Sequence, residues 1–191
     1  KKLNNNMLGL SLDIYREFAF YGAYHSNAMN QLVHIIFVPL IWGSMACWLA
    51  YLPLYPNAPK ALNWSIVFYL VYAVYYFLLD FQTALFVNLL YAIMLYYINE
   101  AVRKEQNTPK SKRASSKSFS AAKWALIVHV SSWIAQIAAH QIFEGRAPAL
   151  LDSFAQSVML APLFVFYEFI WRLFPSYHAN LRLVVEGLNV A

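Results

Sequence analysis

Five apolar stretches, residues 31–52, 62–79, 83–99, 124–143 and 154–174, divide this chain of 191 residues, with polar breaks between them. Each is close to the roughly 20 residues that an α-helix needs to cross a bilayer. In lipid the backbone has to satisfy its own hydrogen bonds, so helical runs of this length dictate a helix bundle. The composition agrees: 61% of residues are hydrophobic and only 12% charged, where soluble domains carry about a quarter charged residues. The expected fold is all-α, a polytopic integral membrane helix bundle forming one domain over residues 1–191.

The breaks between the stretches are legible. Residues 52 to 59 are proline-rich, Asp80 and Gln82 mark a tight hairpin, and Ser111 to Ser120 has the serine and lysine content of a loop. Ahead of the first stretch, Leu8, Leu12, Tyr15 and Ala19 recur at three- and four-residue steps, with Asp13, Arg16 and Glu17 elsewhere. That pattern predicts an amphipathic helix over 7–20, lying at the membrane surface or against the bundle.

Charge sets the topology. Between Glu100 and Lys123 seven basic residues face two acidic ones, which accounts for the whole net charge of +5. A basic loop between apolar segments is explained by the positive-inside rule, so 100–123 is assigned to the cytoplasm and nucleic acid is excluded as a partner. Segments 62–79 and 83–99 then form one hairpin, and 124–143 and 154–174 a second. Were 31–52 also to cross, Lys1, Lys2 and Arg16 would lie outside, against the rule. Pro39, Gly43 and Ser44 permit a bend, so 31–52 is expected to be a re-entrant or broken helix beside four full spans. The protein is then multi-pass, with both termini cytoplasmic.

Several chemistries have no support. Cys47 is the single cysteine, so neither an intramolecular disulfide nor a CxxC knuckle exists, and the first thirty residues lack the layout of a secretory signal. No phosphate-cradling glycine loop and no serine elbow is present. Five histidines are too few for the histidine-box membrane desaturases.

Two blocks remain. The first is YHSNAMNQLVH (24–34), with His25 and His34 nine apart; the second is WIAQIAAHQIFEGRAPA (133–149), with His140 and Glu144 four apart, on one face of a helix. Ionisable groups within a membrane need partners, and histidines converging with a carboxylate in an apolar pocket suit a metal ion. On unbroken helices His25 and His34 would lie about 13 Å apart, and His129 and His140 about 16 Å. One shared site needs a turn near Ser26 to Asn30. An antiparallel pairing of His25 with His140 and His34 with His129 gives two sites instead. Glu144 and Arg146 read either as catalytic groups or as an interfacial charge pair. Glu168 reads as an ion pair with Arg172 one turn on, or as a polar group facing the bundle interior. His178 is expected to be solvated.

At these blocks the chain resembles the fungal endoplasmic-reticulum 2-hydroxy fatty acid dioxygenases and their bacterial and plant relatives. The likeness lies in YHSNAMNQLVHIIFVP (24–39), WIAQIAAHQIFEGRAPALLD (133–152) and QSVMLAPLFVFYEF (156–169), and spans about residues 12–175. The resemblance implies an Fe(II)-dependent oxidation by O2 of a long-chain 2-hydroxy fatty acid, shortened by one carbon with loss of CO2. In fungi this belongs to fatty acid alpha-oxidation in phytosphingosine breakdown, in the endoplasmic reticulum membrane. Mapped onto this chain, the metal ligands fall on His25, His34 and His140, with Glu144 and Pro148 following; His129 is carried as a further candidate ligand. Arg146 is the candidate to orient the substrate carboxylate, and the apolar spans contact the acyl chain and membrane lipid. Against this stand a non-catalytic membrane scaffold or lipid-binding protein, and a zinc lipid hydrolase built on the same ligands.

Overall fold

The structure, a computed structural model, describes residues 10–109, 120–148 and 154–185. Among these residues every extended element is a helix, in the order α1 (Ile14–Gly22), α2 (Ala28–Ala50), α3 (Trp64–Leu79), α4 (Phe81–Asn107), α5 (Ala121–Ala139), α6 (Phe154–Leu173) and α7 (Ala179–Val185). A π-helical turn, His140–Glu144, extends α5. The one β feature among the described residues is an isolated bridge between Pro53 and Asn63.

Among the described residues four helices are long and apolar enough to cross a membrane: α2, α4, α5 with its π turn, and α6, of 23, 27, 24 and 20 residues. A shorter apolar helix, α3, has 16 residues. The all-helical architecture therefore matches the expectation, with a difference in which stretch gives the short helix. The stretch read as re-entrant or broken lies in one unbroken helix, and the stretch 62–79 yields the short one. Pro39 removes one backbone donor from α2 without interrupting it, as prolines in apolar helices often do when neighbouring turns absorb the loss. Trp64 opens α3 late because Trp64 N–H is spent on the Leu52 carbonyl at 3.0 Å, closing the proline-rich connection.

The helix starts follow local chemistry. Asp13 caps α1, its Oδ1 accepting the amides of Tyr15 at 3.0 Å and Arg16 at 3.3 Å. The amphipathic pattern expected from residue 7 thus becomes helix only at Ile14, since an aspartate that satisfies orphan amides marks a start. Residues 7–9 lie outside the described residues, as do 110–119 of the basic loop; 100–107 of that loop belong to α4.

The chain forms two compact units: Lys1–Pro39 with Leu78–Asp80 and Trp133–Ala191, and Leu40–Phe77 with Phe81–Ser132. In the second unit α3 and α4 are tied by Asn88, whose side chain donates to the Ala73 carbonyl at 3.3 Å, and by Asn99, which donates to Ser65 Oγ at 3.0 Å. Trp42 packs against Tyr91 and Phe68 at ring separations of 4.7 and 5.1 Å. Gly43 sits opposite Met94 and Ile98, where a Cβ would meet the sulfur of Met94 at 3.4 Å, an ordinary contact distance.

In the first unit α1 packs on α6 and α7. Phe18 is fully buried there, with edge contacts to Phe164, Tyr167 and Trp171 at 4.3, 4.8 and 5.8 Å. Tyr167 also donates to the Asp80 carboxylate. His178, expected in solvent, lies with Nε2 3.6 Å from that carboxylate and its ring against Tyr177.

Candidate metal centre

His25 sits in the connection between α1 and α2, His34 two turns into α2, and His140 at the junction of α5 with its π turn. The non-helical residues around Ser26 supply the reversal that a shared site required. The three rings are mutually adjacent, with centroids 4.7 Å (His25–His34), 4.8 Å (His25–His140) and 4.9 Å (His34–His140) apart. One ligand nitrogen from each lies within 4.8 Å of the others, and all three residues are buried. One site, rather than two, emerges from the first unit.

The tautomers are set locally. His25 Nδ1 lies 3.0 Å from the Tyr21 carbonyl and His34 Nδ1 2.9 Å from the Asn30 carbonyl, each four residues back. A carbonyl only accepts, so each Nδ1 carries the proton and each Nε2 keeps its lone pair, the arrangement found in metal-binding histidines. Burial, with the neighbouring His34, pushes the His25 imidazole well below its usual range, so it is neutral at pH 7. Its ring is also stacked on Tyr21, 3.9 Å between centroids and 11° from parallel. His140 Nδ1 is buried without a hydrogen-bond partner. Three buried imidazoles with one orphaned nitrogen fit a transition-metal ion, which prefers nitrogen donors and would satisfy that atom.

The sequence pairs His140 with Glu144, but the structure gives them different tasks. Glu144 Oε1 accepts the Asn27 amide at 2.9 Å and the Asn30 side-chain amide at 3.0 Å, while Oε2 accepts the Ser26 hydroxyl at 2.7 Å. The carboxylate thereby holds the start of α2, next to both His25 and His34, and caps its positive end. Arg146 donates to the Ala23 carbonyl at 2.5 Å and lies 5.8 Å over the Tyr24 ring. Both side chains grip the segment that bears His25. Gly145 between them adopts φ +65°, a left-handed conformation that ends the π turn.

His129 is not a member of the three-histidine group. It belongs to the second unit, where its Nδ1 lies 2.8 Å from Ser44 Oγ and its ring 5.0 Å from that of Trp48. The Ser44 hydroxyl donates to the Ile41 carbonyl at 2.8 Å, so the histidine nitrogen is the donor to Ser44. A partner on its own helix bundle thus accounts for this histidine without a metal. The ion pair expected between Glu168 and Arg172 is not formed either: Arg172 donates to the Ala28 carbonyl at 3.0 Å and to Gln31 Oε1 at 3.4 Å. Tyr21 and the carbonyl of Asn30 were not legible as parts of the site. Their signal is only positional, each lying four residues before a histidine.

Residues 12–173 match the family described as 2-hydroxy-palmitic acid dioxygenase Mpo1-like. The chain belongs to this family. A Mpo1-like relative, the 2-hydroxy-palmitic acid dioxygenase MPO1 of Saccharomyces cerevisiae, is 32% identical over 162 residues, covering 85% of this chain and 82% of the yeast protein. No solved structure matches. The Mpo1-like match takes in all three histidines of the group, together with Glu144 and Glu168.

Proposed function

We propose that the chain is a membrane-embedded Fe(II)-dependent dioxygenase that oxidatively decarboxylates long-chain 2-hydroxy fatty acids. The observation that carries the reading is the buried set of three histidine nitrogens within 4.8 Å of one another, in a chain similar over most of its length to a 2-hydroxy-palmitic acid dioxygenase. His25, His34 and His140 would hold the iron. Bound there, it would supply the one-electron chemistry that O2 requires to react with an organic substrate.

The overall reaction balances without a further reductant. R–CH(OH)–COOH and O2 give R–COOH, CO2 and H2O: the C1–C2 bond breaks, the substrate gives up four electrons, and O2 takes up four. That accounts for a chain with no visible flavin, haem or nicotinamide motif. The protein's own part is positional. The carbonyls of Tyr21 and Asn30 fix two imidazoles, Glu144 anchors the backbone between them, and burial excludes bulk water. Arg146 uses one N–H on Ala23 and retains others for a substrate carboxylate at the mouth of the site. Apolar helix surfaces would receive the acyl chain. The same reading places the protein in the endoplasmic reticulum membrane, with cytoplasmic termini and a role in sphingolipid-derived fatty acid alpha-oxidation.

The test is turnover of 2-hydroxypalmitate by purified protein reconstituted anaerobically with Fe(II) and then exposed to O2. One CO2 and one 15-carbon acid per O2 consumed is expected. Activity with zinc in the absence of O2 would replace this reading with a hydrolase; no metal uptake would leave a lipid-binding scaffold.

A further inference from the structure

His25 is the one member of the three-histidine group that no helix holds. His34 lies within α2 and His140 at the junction of α5 with its π turn, whereas His25 sits in the connection between α1 and α2. A ligand on irregular backbone is oriented by whatever ties that backbone from outside. Glu144 and Arg146 tie it from the end of α5. Two further side chains reach the same connection from α6.

Arg172 and Glu168 stand one turn apart on α6 with opposite charges, the spacing of an intrahelical ion pair. Each is engaged elsewhere. Nη2 of Arg172 donates to the Ala28 carbonyl at 3.0 Å and to Gln31 Oε1 at 3.4 Å. Gln31 in turn donates through Nε2 to the His25 carbonyl at 3.0 Å. An amide side chain accepts at one end and donates at the other, so Gln31 passes the position of Arg172 on to the ligand's own peptide group. Glu168 is buried and shares a hydrogen bond with the Tyr21 hydroxyl. Tyr21 meets His25 twice, stacking on its ring with 3.9 Å between centroids and accepting from Nδ1 with its carbonyl at 3.0 Å. From α6, then, one route leads to the backbone of His25 and another to its ring.

We propose that Arg172 through Gln31, and Glu168 through Tyr21, are positioning residues that fix His25 in the geometry a bound metal requires, so that α6, which supplies no ligand, sets the shape of the site. The inference rests on the metal centre of the function proposed above and deepens it. Pairing Arg172 with Glu168 would release Gln31 and Tyr21 together, which gives the missing ion pair a physical sense. The bonds of Arg172 are exposed, and changes at exposed positions usually alter stability little. Their effect is therefore to be read in the metal rather than in the melting of the fold.

The experiment loads the full chain in nanodiscs with Co(II), whose visible bands report coordination geometry, and measures its affinity by competition with a chelator. Gln31→Glu keeps the acceptor for Arg172 but exchanges the donor to the His25 carbonyl for an oxygen. Tyr21→Phe keeps the ring and the carbonyl and removes the bond to Glu168. Each is expected to weaken Co(II) binding about 10-fold or more and to alter the visible bands. Adding Arg172→Leu to Gln31→Glu should cost less than the sum of the two single changes, since both act along one route. Glu168→Gln, which keeps an acceptor for Tyr21, should retain the wild-type bands where Glu168→Leu does not. Wild-type affinity and bands in either Gln31→Glu or Tyr21→Phe overturn the inference. A fall in the unfolding temperature of the metal-free Gln31→Glu protein that parallels its loss of affinity overturns it too, making these bonds supports of the fold. A wild type that takes up no Co(II) instead removes the metal centre on which the proposed function stands.

Discussion

The carboxylate of Glu144 accepts the backbone amide of Asn27 at 2.9 Å across a sequence separation of 117 residues. This bond joins the end of α5 to the start of α2 and so connects the two blocks that carry the histidines. Ser26 and Asn30 add two further donors to the same group. Replacing Glu144 with alanine leaves three donors without their acceptor and frees the backbone on either side of His25. Metal affinity is expected to fall about 10- to 100-fold, the usual cost of losing support around ligands. Competitive titration of Fe(II) against a chelator checks it; unchanged affinity would mean that the three rings hold their places unaided.

His129 differs in its surroundings from the three histidines of the group. Its alanine variant loses the Ser44 bond and the Trp48 contact, and should cost about 1 kcal/mol of stability with full metal stoichiometry. Alanine at His25, His34 or His140 should instead abolish metal binding. Elemental analysis of the four proteins decides the matter, and metal loss in His129→Ala would restore it as a ligand.

Which parts of this were legible in the sequence follows from the range of the forces involved. Segment lengths and apolar runs depend on local composition, so the helical membrane architecture was readable, as was a reversal near Ser26. The unbroken course of α2 was not, because a proline permits a bend without requiring one. His25, His34 and His140 stood out by chemistry, but their convergence on one point depends on how separate helices pack. The expected pairing of His140 with Glu144 by helical spacing did not foresee that the turn would be π-helical and that the carboxylate would be drawn to the amides of α2. Glu168 next to Arg172 has the spacing of an ion pair; competition from the Ala28 carbonyl is invisible in one dimension.

Glu17 gives a pH signature away from the metal. It is fully buried on α1, and burial raises its carboxyl above the usual range, partly offset by the hydrogen bond from Gln156 at 2.5 Å. The folded protein thus binds this proton more tightly than the unfolded chain, and stability falls as pH rises from the ordinary glutamate range through the raised value. Glu17→Gln keeps an acceptor for Gln156 and removes the charge. The variant should unfold at a higher temperature than wild type at pH 7, with the difference vanishing in acid. Thermal unfolding across pH in one detergent measures it; no gain at pH 7 would contradict the assignment.

Gly145 is required by its backbone alone. At φ +65° it has open space around the position of a Cβ, with no atom within 4 Å. Gly145→Ala should therefore cost about 1 kcal/mol through conformation rather than collision, and Gly145→Asn less, since asparagine tolerates the left-handed region. Equal midpoints for the two variants in thermal unfolding would rule this out.

The π turn from His140 to Glu144 has a consequence for how this stretch tolerates a change in length. A π turn holds one residue more than the α turn it replaces. Deleting one residue between Gln141 and Phe143 would let the turn close as an ordinary α turn, with the residues on either side kept close to their places. The same deletion within the regular part of α5 would swing everything after it by roughly 100° and carry Glu144 and Arg146 away from the backbone they hold. The extra residue of the π turn is thus slack in the connection between the histidine blocks, at the one place where a lost residue leaves their coupling standing.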